Sequence, residues 1–274
     1  FRALGDSETI LRLPSALAST LTLVPAYLLA RALIGRAGAL IALALLAGSY
    51  VNLTYAVTAR NYAVLFLLLM TAFAALHHVW SRYRTAPSGL PGKLSLPALL
   101  YVVAAIGALY THNIAVFYIL LANTALALHT LFDQRRTFLP VWLGLVGLNI
   151  PVLLAWLPWL MVIPGASPDF VWLEQPGPGQ AFRTLLHAAT PIAASKWAML
   201  ALLPILLTGT LAAAMRNAGA FTVIALHLIA LPLVIWLLGY VYKPVFLERT
   251  ILPASFGAAL AAGTCLAYIR RPLM

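Results

Sequence analysis

Charged residues are scarce in this chain: of 274 residues, only 8% are charged and 63% are apolar. Soluble globular domains carry roughly 25% charged residues, so an ordinary water-soluble fold is excluded. The single cysteine, Cys265, excludes an internal disulfide and any metal site built on several cysteines. The sequence also lacks a P-loop, a GxGxxG fingerprint, an HExxH pair and a nucleophile elbow. No soluble enzyme class is indicated, and the fold is predicted from the long apolar runs.

Apolar runs recur along nearly the whole chain, and a helix that crosses a bilayer needs ~20 such residues. Membrane strands alternate in polarity over only ~10 residues, which these uniform runs do not do. We therefore predict an all-α polytopic transmembrane bundle that forms a single domain, 1–274. Residues 1–12 are interpreted as the remnant of a first outer loop, and 164–196 as a long outer loop. The predicted spans, about nine in number, are 13–33, 38–57, 62–80, 95–111, 114–132, 138–163, 193–214, 220–241 and 250–268.

The charges between the spans predict the orientation. Connections on one face hold ten basic residues and one acid, whereas the other face holds seven basic residues and five acids. Cytoplasmic loops are enriched in lysine and arginine, so the first face is expected inside the cell and the second outside. Topology also accounts for the net charge of +11, and no nucleic-acid partner is expected.

Three candidate residues lie in the first outer segments, and each also has an ordinary structural explanation. Glu8 suits a helix start, where an acid favours the positive end of the dipole, or serves a metal, a sugar hydroxyl or a proton transfer. Arg60, in a short turn, is either anchored at the headgroups or bound to phosphate. His112, in another tight turn, is either a satisfied interfacial residue or part of a site.

The later outer segments add a second group of candidates. Lys243 and Arg249 lie six residues apart among aromatic residues, a pattern that suits a phosphate with an apolar chain alongside. Glu248 and Arg249 are neighbours, and such a surface pair also has the ordinary role of neutralising itself. Arg183 and His187 would share one face of a helix, and Ala181–Ala189 is a candidate interfacial helix.

Four segments, in order, resemble the GT-C superfamily of integral membrane glycosyltransferases, specifically its protein-mannosyltransferase and aminoarabinose-transferase-like group. Gly5–Leu17 is similar to the E-x-x-x-R-x-P-S-A-L end of the family's first outer loop. Thr58–Tyr62 resembles its A-R-x-Y turn, and Tyr110–His112 its Y-x-H turn. Pro244–Arg249, followed by Pro253, is similar to its late P-x-x-x-x-R segment. Together the segments cover the whole chain.

The resemblance implies transfer of a sugar, with inversion, from a polyprenyl-phosphate carrier to a lipid, glycan or protein acceptor. The reaction is expected outside the cytoplasm, at a bacterial inner membrane. Glu8 matches an outer-loop acid of the family and is the expected catalytic residue and candidate ligand of a divalent metal ion. Arg60, and with it Lys243 and Arg249, would bind the donor phosphate. The family's usual catalytic aspartate is expected upstream of Phe1, in a longer chain.

Tyr62 and His112, which lie in the two resembling turns, and His187 are expected to line the site. Two other functions stay open. A lipid or polysaccharide flippase, or another transporter, needs a polar path through the bilayer, and charged residues are nearly absent from the predicted spans. A non-catalytic scaffold subunit needs its outer charges only as anchors for the helices.

Overall fold

The computed structural model describes residues 7–85, 95–133, 137–166, 173–190 and 196–269. These residues contain no strand, so the all-α prediction is confirmed. The helices are α1 (Glu8–Ala47), α2 (Tyr50–Ala56), α3 (Tyr62–Thr85), α4 (Leu96–Thr111), α5 (Ala115–Asp133), α6 (Phe138–Ala166), α7 (Pro178–Ala189), α8 (Lys196–Arg216), α9 (Ala218–Ala225), α10 (Leu231–Val241) and α11 (Ala254–Ile269). A π-helical turn, Leu226–Ala230, joins α9 to α10, and a 3₁₀ turn, Glu248–Thr250, precedes α11.

Helix α1 reverses direction at Gly35, whose φ of 74° lies in a region that glycine adopts easily and that other residues rarely adopt. Two hydrogen bonds demonstrate the reversal. Ser19 Oγ donates to Asn52 Oδ1 at 3.0 Å, and Ser15 Oγ donates to the carbonyl oxygen of Arg60 at 3.0 Å. The residues after Gly35 therefore return, through α2, along the first part of α1.

The outer surface of the bundle is apolar. On α1, the exposed side chains Leu17, Leu21, Val24 and Leu28 follow one another at intervals of three and four residues and therefore share one face. The opposite side of the same helix is buried against α3 and α11. An apolar stripe on the outer surface is the arrangement expected for contact with lipid. Exposure of the same apolar side chains to water would be unfavourable.

Five helices of the described residues are long and apolar enough to cross a membrane: Glu8–Ala47, Tyr62–Tyr83, Ala115–Asp133, Phe138–Val162 and Ala218–Val241. Three shorter apolar helices accompany them: Leu96–Thr111, Leu200–Arg216 and Ala254–Tyr268. The membrane-helix class of the prediction is supported, and the count of nine crossings stays a prediction.

The predicted outer loop 164–196 contains α7, which includes the candidate interfacial helix Ala181–Ala189. The helix begins earlier than predicted, because Gly177 occupies the cap position and Pro178 the first turn, where a fixed φ is suitable and the missing N–H is not needed. Gly179, which lies within the predicted outer loop, is therefore helical. Residues 1–6, 167–172 and 191–195, which belong to the two predicted outer segments, lie outside the described residues.

Candidate functional site

Four connections meet at one end of the bundle, which we call the polar rim: residues 57–61, 112–113, 173–177 and 242–253. Asn61 Nδ2 donates to the carbonyl oxygen of Thr111 at 2.6 Å, and Trp159 Nε1 donates to Asn113 Oδ1 at 2.9 Å. The hydroxyl of Tyr118 donates to the carbonyl oxygen of Thr250. Each of these bonds ties one connection to a helix residue at least 46 positions away in the chain.

The segment before α7 is attached to α10 by two reciprocal hydrogen bonds. Gln175 Nε2 donates to the carbonyl oxygen of Trp236 at 2.9 Å, and Trp236 Nε1 donates to the carbonyl oxygen of Pro176 at 2.8 Å. Gly239 lies against the Gln175 side chain so closely that a Cβ there would be 1.8 Å from its Oε1. A larger residue at 239 would therefore require the Gln175 side chain to move from this position. The start of α7 is thereby held beside the rim.

Tyr62 is the centre of an aromatic and cationic group on the rim. Its buried ring lies 5.4 Å from the Tyr55 ring and 5.8 Å from the His112 ring, measured between centroids. The guanidinium carbon of Arg249 lies 5.6 Å from the Tyr62 centroid, within cation–π range. Three predicted site residues, Tyr62, His112 and Arg249, are therefore neighbours in space. The charges of Arg249, Arg60 and Glu248 all act on the Tyr55 hydroxyl, which lies within their electrostatic reach.

His112 is held in its neutral form by its surroundings. Burial lowers the pKa of His112, and the Arg249 guanidinium lowers this pKa further. The backbone N–H of Ile114 donates to His112 Nδ1 at 3.2 Å, so this nitrogen carries the lone pair. The proton of the neutral ring is then on Nε2, which makes His112 a hydrogen-bond donor without a positive charge.

A second charged group lies on the α7 side of the rim. His187 Nδ1 is 2.6 Å from Glu248 Oε1, and the Tyr50 ring lies 4.7 Å from the His187 ring between centroids. Glu248 therefore pairs with His187 across the chain, which corrects the view of Glu248 as a simple neutraliser of its neighbour Arg249. In one 3₁₀ turn, Glu248 contacts the α7 side and Arg249 contacts the α3 side.

A polar cavity of about 260 Å³ opens on the rim beside this turn. Carboxylates, hydroxyls, an amide and one guanidinium line it, so it offers both hydrogen-bond donors and acceptors. The polar lining residues are Tyr55, Glu174, Gln180, Thr184, Glu248 and Arg249.

The remaining predicted residues are more peripheral. Glu8 begins α1 in an exposed position, its side chain 76% accessible, and forms a salt bridge with Arg12 one helical turn away. Arg60 is exposed, and its carbonyl oxygen accepts a hydrogen bond from Ser15. The ammonium of Lys243 lies 5.8 Å from the Tyr242 ring centroid. Within the described part of the chain, no group of three or more His, Cys, Asp or Glu side chains is placed to hold a metal ion. Metal binding by Glu8 stays a prediction.

Sequence reasoning missed four contributors to the rim: Tyr50, Tyr55, Glu174 and the pairing of Glu248. Tyr50 and Tyr55 lie in a predicted span, where aromatic residues are expected as ordinary packing. The 242–249 connection did contain a signal against pairing of Glu248 with Arg249. Neighbouring residues in an extended or 3₁₀ segment point in different directions. Such neighbours rarely pair with each other.

The described residues form an all-helical bundle whose long apolar helices indicate an integral membrane protein, with a polar site at one end of the bundle. Comparison of the chain with family models, with curated proteins and with solved structures finds no match.

Proposed function

We propose that this protein is a membrane glycosyltransferase that moves a sugar from a polyprenyl-phosphate carrier to an acceptor at the polar rim. The observation that carries the proposal is the grouping of Arg249, Tyr62 and His112, with the Arg60 turn beside them, at one end of an apolar helical bundle. A polyprenyl chain belongs in lipid, whereas its phosphate and sugar belong in the headgroup layer. The rim offers cationic and polar groups at that boundary.

The phosphate would be bound by Arg249, with Arg60 and Lys243 as further cationic candidates. A guanidinium donates two parallel hydrogen bonds to phosphate oxygens, and His112 can add a neutral donor through Nε2. The Tyr62 ring lies under the Arg249 guanidinium and limits where this group can move.

The polyprenyl chain would lie against α5 and α6. An apolar cavity of about 540 Å³ is bounded by these helices, and Leu109, at the end of α4, and Trp156, in α6, line it. Leu109 is three residues from His112, so the cavity extends towards the phosphate-binding group.

The reaction we propose is a single displacement at the anomeric carbon, which inverts its configuration. The acceptor oxygen forms the new bond to that carbon while the bond to the phosphate oxygen breaks and its electron pair leaves with the phosphate. Arginine offsets the charge that develops on the departing phosphate. Glu8 is the acid that the family resemblance assigns to catalysis or to a divalent metal.

The nine-crossing topology, with the rim outside the cytoplasm, is part of this proposal. It is supported by the meeting of the predicted outer connections at one end of the bundle. A transporter would need polar groups along the bundle that are free to contact a cargo. The mid-helix group Tyr101, Asn123 and Asn149 instead forms hydrogen bonds among its own members.

The test is release of polyprenyl phosphate from radiolabelled polyprenyl-phosphate hexose and pentose donors by the protein, produced from its complete gene, in proteoliposomes. The complete gene is used because the family resemblance implies a catalytic aspartate upstream of Phe1. Acceptors are water and added envelope glycan. Arg249→Gln is expected to raise the KM for the donor at least tenfold, and Arg249→Lys to recover part of the loss, because lysine retains the charge without the planar fork. Absence of donor consumption by the unaltered protein with every donor would contradict the proposal.

A further inference from the structure

We infer that an anionic phospholipid binds at the end of the bundle opposite the rim, with its phosphate among Arg31, Arg36 and Arg216. These three residues are called the arginine cluster. Arg31 and Arg36 lie on either side of the reversal at Gly35, and Arg216 ends α8. The lipid site requires only that the protein is a helical membrane protein, and it is independent of the proposed function.

The arginine cluster lies far from the polar rim. The hydroxyl of Ser15 contacts the rim at the carbonyl oxygen of Arg60, and Gly35 follows Ser15 by 20 residues of α1. At the rise of an α-helix this separation is about 30 Å, close to the thickness of the hydrocarbon core of a bilayer. The cluster and the rim are therefore expected at opposite surfaces of the membrane.

Three chain segments meet at this end of the bundle, and two of them supply the arginines. Asn217 Nδ2, next to Arg216, donates to the carbonyl oxygen of Leu33 at 2.5 Å, between residues 184 positions apart. A Cβ built on Gly38 would lie 3.2 Å from the Cβ of Ala267, which places the end of α11 against the reversal of α1. Tertiary structure therefore brings together the segments that carry the cluster.

Tyr268 of α11 holds the third arginine at this junction. The guanidinium carbon of Arg216 lies 5.3 Å from the centroid of the Tyr268 ring, within cation–π range. Tyr268 directly follows Ala267, so Arg216 lies next to the part of α11 that contacts the reversal. A guanidinium that stacks on a ring uses its flat face, and its N–H groups remain available in its plane to donate to phosphate oxygens.

The positive charge of the arginine cluster is not balanced by a carboxylate. All three side chains are exposed, and none of them forms an ion pair with a described residue. The predicted topology explains why this end of the bundle is basic, but it gives no reason for arginines to surround one junction. A bound phosphate gives such a reason, because guanidinium groups donate parallel pairs of hydrogen bonds to phosphate oxygens.

Exposed apolar side chains beside the cluster indicate a lipid and not a soluble phosphate. Leu28 lies three residues before the first arginine of α1 and Leu40 four residues after the second, so each shares a face with its arginine. These leucines are 55% and 48% exposed, and Met215, directly before Arg216, is 84% exposed. Basic side chains at the edge of an exposed apolar surface attract anionic headgroups, while the acyl chains lie along the apolar side chains.

The test is native mass spectrometry of the protein purified in detergent, with phosphatidylglycerol and phosphatidylcholine of the same acyl chains added at equal concentrations. One phosphatidylglycerol per protein is expected to remain bound, with a Kd about tenfold below that of phosphatidylcholine. Glycerophosphoglycerol, which is the same headgroup without acyl chains, is expected not to displace it.

Substitutions test the residues of the cluster one at a time. Arg31→Gln, Arg36→Gln and Arg216→Gln are each expected to weaken the binding of phosphatidylglycerol about fivefold, the contribution of one basic residue at an anionic surface. Arg183→Gln removes the same charge on α7 and is the matched control, which should leave binding unchanged. Tyr268→Leu removes no charge and is expected to weaken binding about threefold, because Arg216 loses the ring that holds it. Thermal unfolding without added lipid checks that the variants are folded.

Three outcomes would overturn the inference. The first is equal retention of phosphatidylglycerol and phosphatidylcholine by the unaltered protein. The second is binding of phosphatidylglycerol by the three glutamine variants as tight as that by Arg183→Gln. The third is displacement of the lipid by glycerophosphoglycerol, which would make the cluster a site for a soluble phosphate. No sugar donor is present in these measurements, so their outcome is separate from that of the glycosyltransferase assay.

Discussion

The three residues of the turn Glu248–Thr250 contact different helices. Glu248 pairs with His187 on α7, Arg249 lies over the ring of Tyr62 on α3, and the carbonyl oxygen of Thr250 accepts from Tyr118 on α5. Three consecutive residues therefore join three helices. A substitution here is expected to alter the site and the packing together, so conservative replacements are the informative ones.

His112 makes a testable contribution to the pH dependence of stability. Its pKa is lowered in the folded protein by burial and then by Arg249, from an ordinary value of about 6.5. Above that ordinary value, neither the folded nor the unfolded state is protonated at His112, and its contribution is constant. Below it, the unfolded state binds a proton that the folded state resists, so stability falls as the pH is lowered.

Arg249→Gln is expected to raise the pKa of His112 part of the way to its ordinary value, since the larger cause, burial, remains. The measurement is a histidine NMR titration, together with thermal unfolding between about pH 5 and pH 7.5. Arg60→Gln is the matched control, because Arg60 is not among the causes of the His112 shift. An equal effect of both substitutions would contradict the local assignment to Arg249.

At the scale of the element, α1 depends on one backbone conformation. Gly35 has a φ of 74°, and a Cβ built there meets nothing within 4 Å. Gly35→Ala is therefore expected to destabilise the protein through backbone conformation alone, by roughly 1–3 kcal/mol. Thermal unfolding in detergent, followed by tryptophan fluorescence, measures the change.

Gly147 offers a control for Gly35, because it also has open space around its Cβ position and lies within α6 with an ordinary backbone conformation. Gly147→Ala is expected to leave stability unchanged or to increase it by up to about 1 kcal/mol, as alanine favours the helix. Equal destabilisation by the two substitutions would mean that the reversal in α1 does not depend on Gly35.

A second feature at the scale of the element is a group of hydrogen bonds that joins α4, α5 and α6 within the bundle. Tyr101 OH donates to Asn149 Oδ1, Asn149 Nδ2 to Asn123 Oδ1, and Asn123 Nδ2 to Tyr101 OH, at 2.7, 2.9 and 2.9 Å. This closed ring joins three helices in an apolar environment, where the packing of apolar side chains alone gives little specificity.

Asn149→Ala is expected to lower the free energy of unfolding by about 1 kcal/mol, as interhelical hydrogen bonds in membranes do. In the double variant with Asn123→Ala, the effects should be less than additive, because each substitution opens the same ring. Ile150→Ala, on the exposed face of α6, is the control and should change stability little. Full additivity of the two asparagine substitutions would contradict a cooperative ring.

At the scale of the whole molecule, the proposed topology predicts sidedness. Ala59 and Gln180 are exposed on the rim side, and Ala37 and Arg82 are exposed towards the other end of the bundle. In a Cys265→Ala background, a cysteine at 59 or 180 is expected to react with an impermeant maleimide from one side of sealed vesicles. A cysteine at 37 or 82 should react from the other side. Labelling of 59 and 180 from opposite sides would show that the rim is not one surface.

The extent to which the site could be predicted differs between its parts. The turns that hold Arg60 and His112 follow from the ends of apolar runs, and the resemblance of their motifs singled out Tyr62 and Arg249. The pairing of His187 with Glu248 could not be predicted, because no spacing rule relates residues 61 positions apart on separate elements. The start of α7 was misplaced because the Pro–Gly content before Ala181 is typical of loops, although Pro178 suits a first helical turn.

The sequence alone determined that this protein is helical and belongs in a membrane. Its apolar runs cannot be dissolved in water, and a bilayer offers no partners for backbone N–H and C=O groups except those within a helix. Tertiary structure alone decided which polar side chains meet at the rim. That choice depends on how α3, α7 and the Glu248–Thr250 turn pack against one another, and packing depends on the shapes of many side chains at once.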